Sequence, residues 1–348
     1  MTIYVKDLPS TKRHVLGKDS GYFPAIASAG GDHVIIVHRA GAGHMGKSGR
    51  LEAFISEDAG ESWSKPVPVA SDAKWDVRET GIGVTPSGTM VAAYFINKNY
   101  TDAPKGYNEA GRDFEMRVTR SRDGGWTWEP SFPFYLNVEY PGYSPYRQNV
   151  MLEDGSMLMG INGPNEHGAV QSSVLVRSAD EGFTWEPWGL VAPRMNESAF
   201  LLLKDGRMLA VMRSDDYGSL YSAFGDMKTR TWTIPSVTCE GCVGTPPSLV
   251  RLSNGTILLA YGVRTGPSGA RGMISADEGR TWLHDKEIIF GDNATNWDCG
   301  YANALLLPGG RLIVAYYTTA QEDPWRCDGA HCHVVVCSEK DLLDAVNL

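Results

Sequence analysis

The sequence predicts an all-β protein built from six repeats of about four short strands each. Two repeated signatures and the composition carry that expectation. The first signature is a tight turn followed by an apolar strand. It recurs at Gly30-Gly31, Ser87-Gly88, Asp154-Gly155, Asp205-Gly206, Asn254-Gly255 and Gly309-Gly310. The second position is glycine every time, as a tight β-hairpin with a positive φ requires. Successive copies lie 49 to 67 residues apart, which leaves room for about four short strands and their loops.

The second signature is a box, Ser-x-Asp-x-Gly-x-Ser/Thr-Trp. Four copies are complete, with their aspartates at Asp58, Asp123, Asp180 and Asp277 and their tryptophans at Trp63, Trp128, Trp185 and Trp282. A fifth, from Ser222 through Asp226 to Trp232, is degenerate, and a sixth falls near Ser338 to Asp341 without the tryptophan. A carboxylate repeated once per unit is not a single catalytic group. Each box is expected to be a turn, in which Asp accepts backbone N–H groups, Gly takes the left-handed position and Trp packs between sheets.

Composition narrows the class. The chain has 348 residues, 42% hydrophobic and 21% charged, which excludes a disordered or collagen-like protein. Counts of 39 Gly, 10 Trp and 15 Tyr suit many turns and strands. A net charge of −9 is the wrong sign for a nucleic-acid binder. No apolar run reaches transmembrane length, so no membrane partner is expected. Residues 1–9 lack a basic region followed by an apolar core, so the expected location is cytoplasmic. All six cysteines lie in the last third of the chain. Cys239-Glu-Gly-Cys242 has metal-ligand spacing, and Cys332 is flanked by His331 and His333, but a zinc site needs these segments to meet in space. Buried thiols in strands, with no metal and no cofactor, are the expectation.

The boxes are Asp boxes and resemble those of the sialidase (neuraminidase) superfamily. The resemblance covers nearly the whole chain, residues 1–348 as one domain. It implies a six-bladed β-propeller with four-stranded antiparallel blades. An N-terminal strand, residues 3–5 or 14–16, would close the ring as the outer strand of the last blade, whose inner strands include 311–317 and 333–336.

Counting back nine residues from each turn glycine gives Tyr22, Glu79, Tyr146, Glu197, Pro246 and Tyr301. These positions start the innermost strands and should gather around one mouth of the channel. Three tyrosines and two carboxylates are not a core composition, because buried carboxylates are rare unless paired. Arg78, Arg147 and Asn196 are their neighbours in sequence.

Residue by residue, the stretch from Asn196 to Arg213 resembles the Glu-plus-Arg segment of sialidases. That resemblance implies that Glu197 polarises a nucleophile and that Arg213 binds a substrate carboxylate. Residues 300–305 resemble the segment with the tyrosine nucleophile, here Tyr301. Arg271, four residues before a box, resembles a further arginine of the carboxylate-binding triad, and Arg264 is its rival. Two departures stand out. Tyr22-Phe23-Pro24 replaces an Arg-Ile-Pro segment, and the stretch from Arg39 to His44 lacks the family's acid/base Asp. His44 is the nearest titratable substitute, and Asp76 and Glu79 are the other candidate acids. Arg39, Arg78, Arg147, Tyr22 and Tyr146 complete the expected substrate-facing set, with residues 97–111 as a rim wall.

The resemblance implies an exo-glycoside hydrolase with a Tyr/Glu pair and a carbohydrate substrate, a terminal acidic sugar. Two alternatives remain open at this point. One is a lyase on uronic-acid glycans that uses Tyr or His as base. The other is a non-catalytic carbohydrate-binding propeller. Oligomeric state is open.

Overall fold

Strand periodicity and turn chemistry together build the blades. Gly88 joins an innermost strand to its neighbour at φ +87°, and the other five turn glycines also take positive φ. The computed structural model describes residues 1–18, 20–100, 113–136, 144–164, 171–214, 218–240, 245–319 and 329–348. It is a six-bladed propeller of four-stranded antiparallel blades around one axis.

Blade one runs outward as Tyr22–Gly30, His33–Ala40, Arg50–Ser56 and Val67–Ser71. Blade two comprises Asp76–Val84, Met90–Asn97, Phe114–Ser121 and Phe132–Pro133. Blade three has an interrupted innermost strand, Ser144–Pro145 and Val150–Met151, followed by Met157–Pro164, Gln171–Ser178 and Glu186–Pro193. In blade four, Met195–Leu202, Met208–Ser214 and Ser219–Asp226 lead to an outer edge in two pieces, Thr231–Trp232 and Ser236–Glu240. Blade five contains Ser248–Arg251, Ile257–Val263, Gly269–Ser275 and Glu287–Gly291. Blade six contains Gly300–Leu307, Arg311–Thr319 and Ala330–Ser338.

Lys12–Leu16 closes the ring. It pairs antiparallel with blade six, from Lys12 opposite Val336 to Leu16 opposite Cys332. The other candidate segment goes elsewhere. Thr2–Tyr4 adds a parallel strand to blade five, with Ile3 opposite Ile288. Ile3 and Val5 are buried there among Ile288, Phe290, Leu342 and Val346, and a 3₁₀ turn at Val5–Asp7 carries the chain to the next blade.

Apolar side chains fill the gaps between neighbouring blades. Ile35, Val37 and Ile55 meet Val77, Ile82 and Tyr94 between blades one and two. Ile288, Phe290, Leu312 and Val314 do the same between blades five and six. Each such fully buried aliphatic contributes about 1.5–3 kcal/mol relative to exposure. Across the axis, Asn303 Oδ1 accepts the N–H of Ile26 at 2.7 Å while its Nδ2 donates to Ser248 Oγ at 3.1 Å. Ser248 Oγ donates to Gln148 Oε1 at 3.0 Å, so blades one, three, five and six are tied together.

The Asp boxes are the turns the sequence predicts. Asp58 Oδ1 accepts the N–H of Ser62 and the hydroxyl of Ser56, both at 2.8 Å, and Ser56 Oγ accepts the N–H of Gly60 at 2.8 Å. Asp123, Asp180 and Asp277 repeat the pattern. The sixth position is different. Glu339–Val346 is a helix, N-capped by Ser338, whose Oγ accepts the N–H of Lys340 at 3.1 Å. Its Leu342 and Val346 are fully buried. The expectation of buried thiols holds for Cys299, Cys332 and Cys337 but not for Cys239, which is disulfide-bonded and so not a thiolate ligand. Among the described residues no helix is long and apolar enough to cross a membrane.

Candidate active site

The innermost strands lose their ladder at one level, where the candidate residues sit. Register shifts fall between Tyr22 and Ala25, Val77 and Thr80, Met195 and Ser198, and Gly300 and Asn303. The interruption in blade three spans Tyr146 and Arg147. Bulges re-aim side chains, and here they turn Glu79, Glu197 and Tyr301 out of simple alternation. Phe23 and Tyr301 also take left-handed backbone, at φ +52° and +55°. A non-glycine residue so held costs about 1–3 kcal/mol, and such strain concentrates at functional sites. The Tyr301 N–H donates to Thr245 Oγ1 at 3.1 Å. A Cβ on Gly300 (φ +99°) would stand 2.7 Å from that same oxygen, so the corner admits only glycine.

An unbroken chain of alternating charges runs from blade four to blade one. Arg213 Nη1 donates to Glu197 Oε2 at 2.5 Å. Glu197 Oε1 is 3.8 Å from Arg147 Nη1, and Arg147 Nη2 donates to Glu79 Oε2 at 3.1 Å. Glu79 Oε1 accepts from Arg78 Nη2 at 3.2 Å, and Arg78 Nη1 is 3.9 Å from Asp76 Oδ2. Asp76 Oδ1 accepts from Arg39 Nε at 3.1 Å and Nη2 at 2.7 Å, and Tyr100 donates to Oδ2. All seven members are buried. Burial pushes the Glu79 carboxyl up, but Arg147 and Arg78 outweigh it and hold it below the usual range.

Tyr301 sits over this chain. The Arg147 guanidinium lies 4.0 Å from its ring centroid, a cation–π contact. Phe23 and Tyr317 close the other sides at 4.8 and 5.5 Å between centroids. Among the described residues the Tyr301 hydroxyl has no hydrogen-bond partner. Burial first, then the charges of Glu197 and Glu79, raise its pKa, so the phenol is protonated at neutral pH. Arg147 therefore links Glu197 to Tyr301, with Nη1 3.8 Å from the carboxylate and the guanidinium over the ring.

His44 occupies the opposite side. Its Nδ1 is 2.8 Å from Asp298 Oδ1, and the Tyr317 hydroxyl donates to the same oxygen. The loop that bears it is clamped. Arg39 donates to the carbonyls of Ala42, Gly43 and Gly46, and Arg78 Nη1 donates to the His44 carbonyl at 2.8 Å. Tyr100 Oη accepts the Gly46 N–H at 2.8 Å. Burial lowers the His44 pKa against the pull of Asp298. Trp297, nearly half exposed, lies 6.1 Å from the His44 ring and offers an aromatic face at the mouth.

Several expected roles change. Arg271 is on the third strand of blade five, with its Nη1 and Nη2 each 2.6 Å from the carbonyls of Gly291 and Pro267. It is spent on backbone and on Glu287, 3.6 Å from its Nε, two strands from the axis. Arg264, its rival, reaches the site, with Nη2 3.8 Å from Asp298 Oδ1 and 3.2 Å from Tyr317 Oη. Tyr146 is turned into the packing between blades three and four, where its hydroxyl donates to the Asn196 carbonyl at 2.6 Å. Arg39 and Asp76 are fully buried, so they hold the His44 loop rather than face a substrate. Tyr22 is also fully buried, packed 5.3 Å from Tyr317. Most of the rim loop 97–111 lies outside the described residues.

Asp298, Tyr317, Trp297 and Tyr100 escaped the sequence reading. A signal existed for Tyr317. Counting forward seven or eight residues from the turn glycines reaches Arg39, Arg213 and Tyr317, the second-strand positions beside the bulges.

The BNR repeat-like domain family matches residues 51–262. No curated protein matches the sequence. Among solved structures, a protein of unknown function from Dyadobacter fermentans superposes with a TM-score of 0.75 at 21% identity, covering 95% of this chain and 100% of that one. The Hadza microbial sialidase Hz136 gives 0.75 at 15% identity, over 93% of this chain and 66% of its own. A Trypanosoma rangeli sialidase in complex with sialic acid gives 0.73 at 13%, over 99% and 61%. The chain thus spans about two thirds or less of those sialidases, and at these identities the likeness is one of fold. With a matched family model over more than half of its length, the chain belongs to the BNR repeat-like domain family, and it shares the fold of these sialidases.

Proposed function

We propose that the protein is a glycoside hydrolase acting on a terminal, acidic sugar. One observation carries this reading: Tyr301, in strained left-handed backbone, is linked to Glu197 through Arg147 and has a hydroxyl unclaimed by any described residue. The sialidase-like fold supports a glycan-related role. A sugar that carries a carboxylate repels a carboxylate nucleophile, and a phenol avoids that repulsion. The phenol oxygen bonds to the anomeric carbon as its proton passes to Glu197, and the glycosidic C–O bond breaks. Imidazolium at His44 protonates the departing oxygen. Neutral His44 then takes a proton from the water that attacks the anomeric carbon, and as the Tyr301 O–C bond breaks Glu197 returns its proton to the phenol oxygen. Arg264 and Arg213 supply positive charge for the substrate carboxylate. The Tyr301–Glu197 hydrogen bond is one that forms as substrate enters.

The test is turnover on a panel of acidic glycosides. Tyr301→Phe and Glu197→Gln should each lower kcat at least about a hundredfold, the scale of losing an acid–base group. Near-normal rates in both variants would reject the mechanism.

The His44–Asp298 pair favours a second reading, elimination on a uronic-acid glycan. Neutral His44 would remove the proton α to the carboxylate, Tyr301 would protonate the departing oxygen, and the arginines would neutralise the carboxylate. Elimination creates an unsaturated, ultraviolet-absorbing product, and hydrolysis creates none. The pH profiles also diverge. Because burial lowers the His44 pKa, hydrolysis through imidazolium strengthens as pH falls below the ordinary histidine range, whereas elimination weakens there. Glycan binding in a calorimeter with neither product would identify a binding propeller.

A further inference from the structure

Three side chains meet at one buried oxygen, Asp298 Oδ1. His44 Nδ1 lies 2.8 Å away, the Tyr317 hydroxyl donates to it, and Arg264 Nη2 stands at 3.8 Å. Asp298 and Tyr317 are fully buried. Among the described residues Asp298 Oδ2 is buried with no hydrogen-bond partner. A carboxylate so placed is costly unless neighbouring charge meets it. An ionised carboxylate only accepts, so the shared proton belongs to His44 Nδ1. The neutral ring then carries its lone pair on Nε2, the nitrogen away from Asp298. The His44 side chain is 16% exposed and that of Asp298 is 0% exposed. The ring therefore spans the boundary between a sealed carboxylate and the channel mouth.

We infer that Asp298 and Tyr317 are positioning residues that fix His44 as the Nδ1–H tautomer and tune, in opposite directions, how firmly its Nε2 holds a proton. The anion of Asp298 favours imidazolium. The Tyr317 hydroxyl donates into that anion, spreads its charge and weakens the pull. Other groups around the ring act on it too. Arg78 from blade two and Arg264 from blade five oppose its charge, Glu79 favours it, and Tyr22 and Phe23 shield it from water. Asp298 stays ionised below the usual carboxylate range, because His44, Tyr317 and Arg264 outweigh the cost of burial. The step is one proton moved between His44 Nε2 and the substrate, with no redox partner. The role rests on His44 being the proton-transfer group of the proposed reaction, but the relay is readable without turnover.

The experiment is ¹⁵N NMR of the imidazoles in the full chain labelled at histidine, with the His44 signals assigned by their loss in His44→Gln. The wild-type ring should be the Nδ1–H tautomer when neutral. Asp298→Asn should lower the His44 titration midpoint and release the Nε2–H tautomer. Tyr317→Phe should raise the midpoint and keep the Nδ1–H form. Opposite shifts are a signature that loosened packing does not produce. A wild-type ring in the Nε2–H form overturns the relay, and so do two variants that shift together or not at all. If Asp298→Asn does not fold, the wild-type tautomer and Tyr317→Phe still decide. A protein that turns over no glycan but shows these shifts loses the proposed reaction and keeps the relay.

Discussion

The axial site and the perimeter turns use the same residue types for opposite ends. At the perimeter, Asp58, Asp123, Asp180 and Asp277 are repeated, exposed or half-buried, and bonded within their own hairpins. At the axis, Asp76, Glu79, Glu197 and Asp298 are unrepeated, buried and paired with arginines from neighbouring strands and blades. Repetition marks a carboxylate that each blade needs to fold. A break in the repeat, at equivalent register, marks one that the fold tolerates for another reason. Burial sets the cost: a buried ion pair leaves an uncompensated charge when one partner is lost, whereas an exposed turn loses only local hydrogen bonds.

The largest effect should follow from cutting the axial chain. Asp76→Ala strands the fully buried Arg39 guanidinium without its carboxylate. The expected cost is about 3–5 kcal/mol in urea unfolding, as for other broken buried pairs. Arg39 also holds three carbonyls of the His44 loop, so activity should fall with stability. A loss of under about 1 kcal/mol would mean that water reaches Arg39 and that the buried chain does not hold the loop.

That asymmetry explains what was legible from sequence. The boxes and turn glycines are local, since hydrogen bonds within eight residues fix them, and they disclosed the blade count and the turn role of Asp58. The register count found Glu79, Glu197 and Tyr301 because bulges fall at the same level in several blades. It misplaced Tyr146, because the blade-three strand breaks there and sends the ring into the packing. The resemblance favoured Arg271 over its rival Arg264, because sequence does not show how far each position lies from the axis. Asp298 was invisible because its partners, His44 and Tyr317, are distant in sequence and chosen only by ring closure. The helix at Glu339–Val346 replaced a box because Leu342 and Val346 found a core that the N-terminal strand completes.

Between the two regions lies a titratable group that neither uses. His38 neighbours Arg39 on the same strand but stacks on Phe54 at 5.2 Å between centroids, fully buried, with no hydrogen-bond partner for Nε2 among the described residues. Burial pulls its pKa down to about 4. The unfolded chain binds a proton near pH 6.5, so it gains stability relative to the fold as pH drops below that value. The folded protein should therefore lose on the order of 3 kcal/mol between about pH 6.5 and pH 4, after which the term levels off. Denaturation midpoints of the wild type and His38→Phe across that window measure the difference. Parallel curves for the two proteins would mean that His38 is hydrated rather than sealed.

The smallest effect, and the sharpest test of the perimeter half of the comparison, is at a single box. Asp58 takes hydrogen bonds from the Ser62 N–H, the Ser62 hydroxyl and the Ser56 hydroxyl, all within one exposed turn. Water replaces these partners readily, so Asp58→Ala should cost only about 1 kcal/mol. The four aspartates share no partners and sit on separate blades, although Arg122 of the second box lies 3.8 Å from Glu181 of the third, so replacing Asp58, Asp123, Asp180 and Asp277 together should cost close to the sum of the single losses. Turnover should be unaffected until unfolding intervenes. A box substitution that lowered kcat in a fully folded protein would show that the perimeter turns reach the axis. Costs far from additive would show that the blades are coupled through their turns as well as through their shared apolar faces.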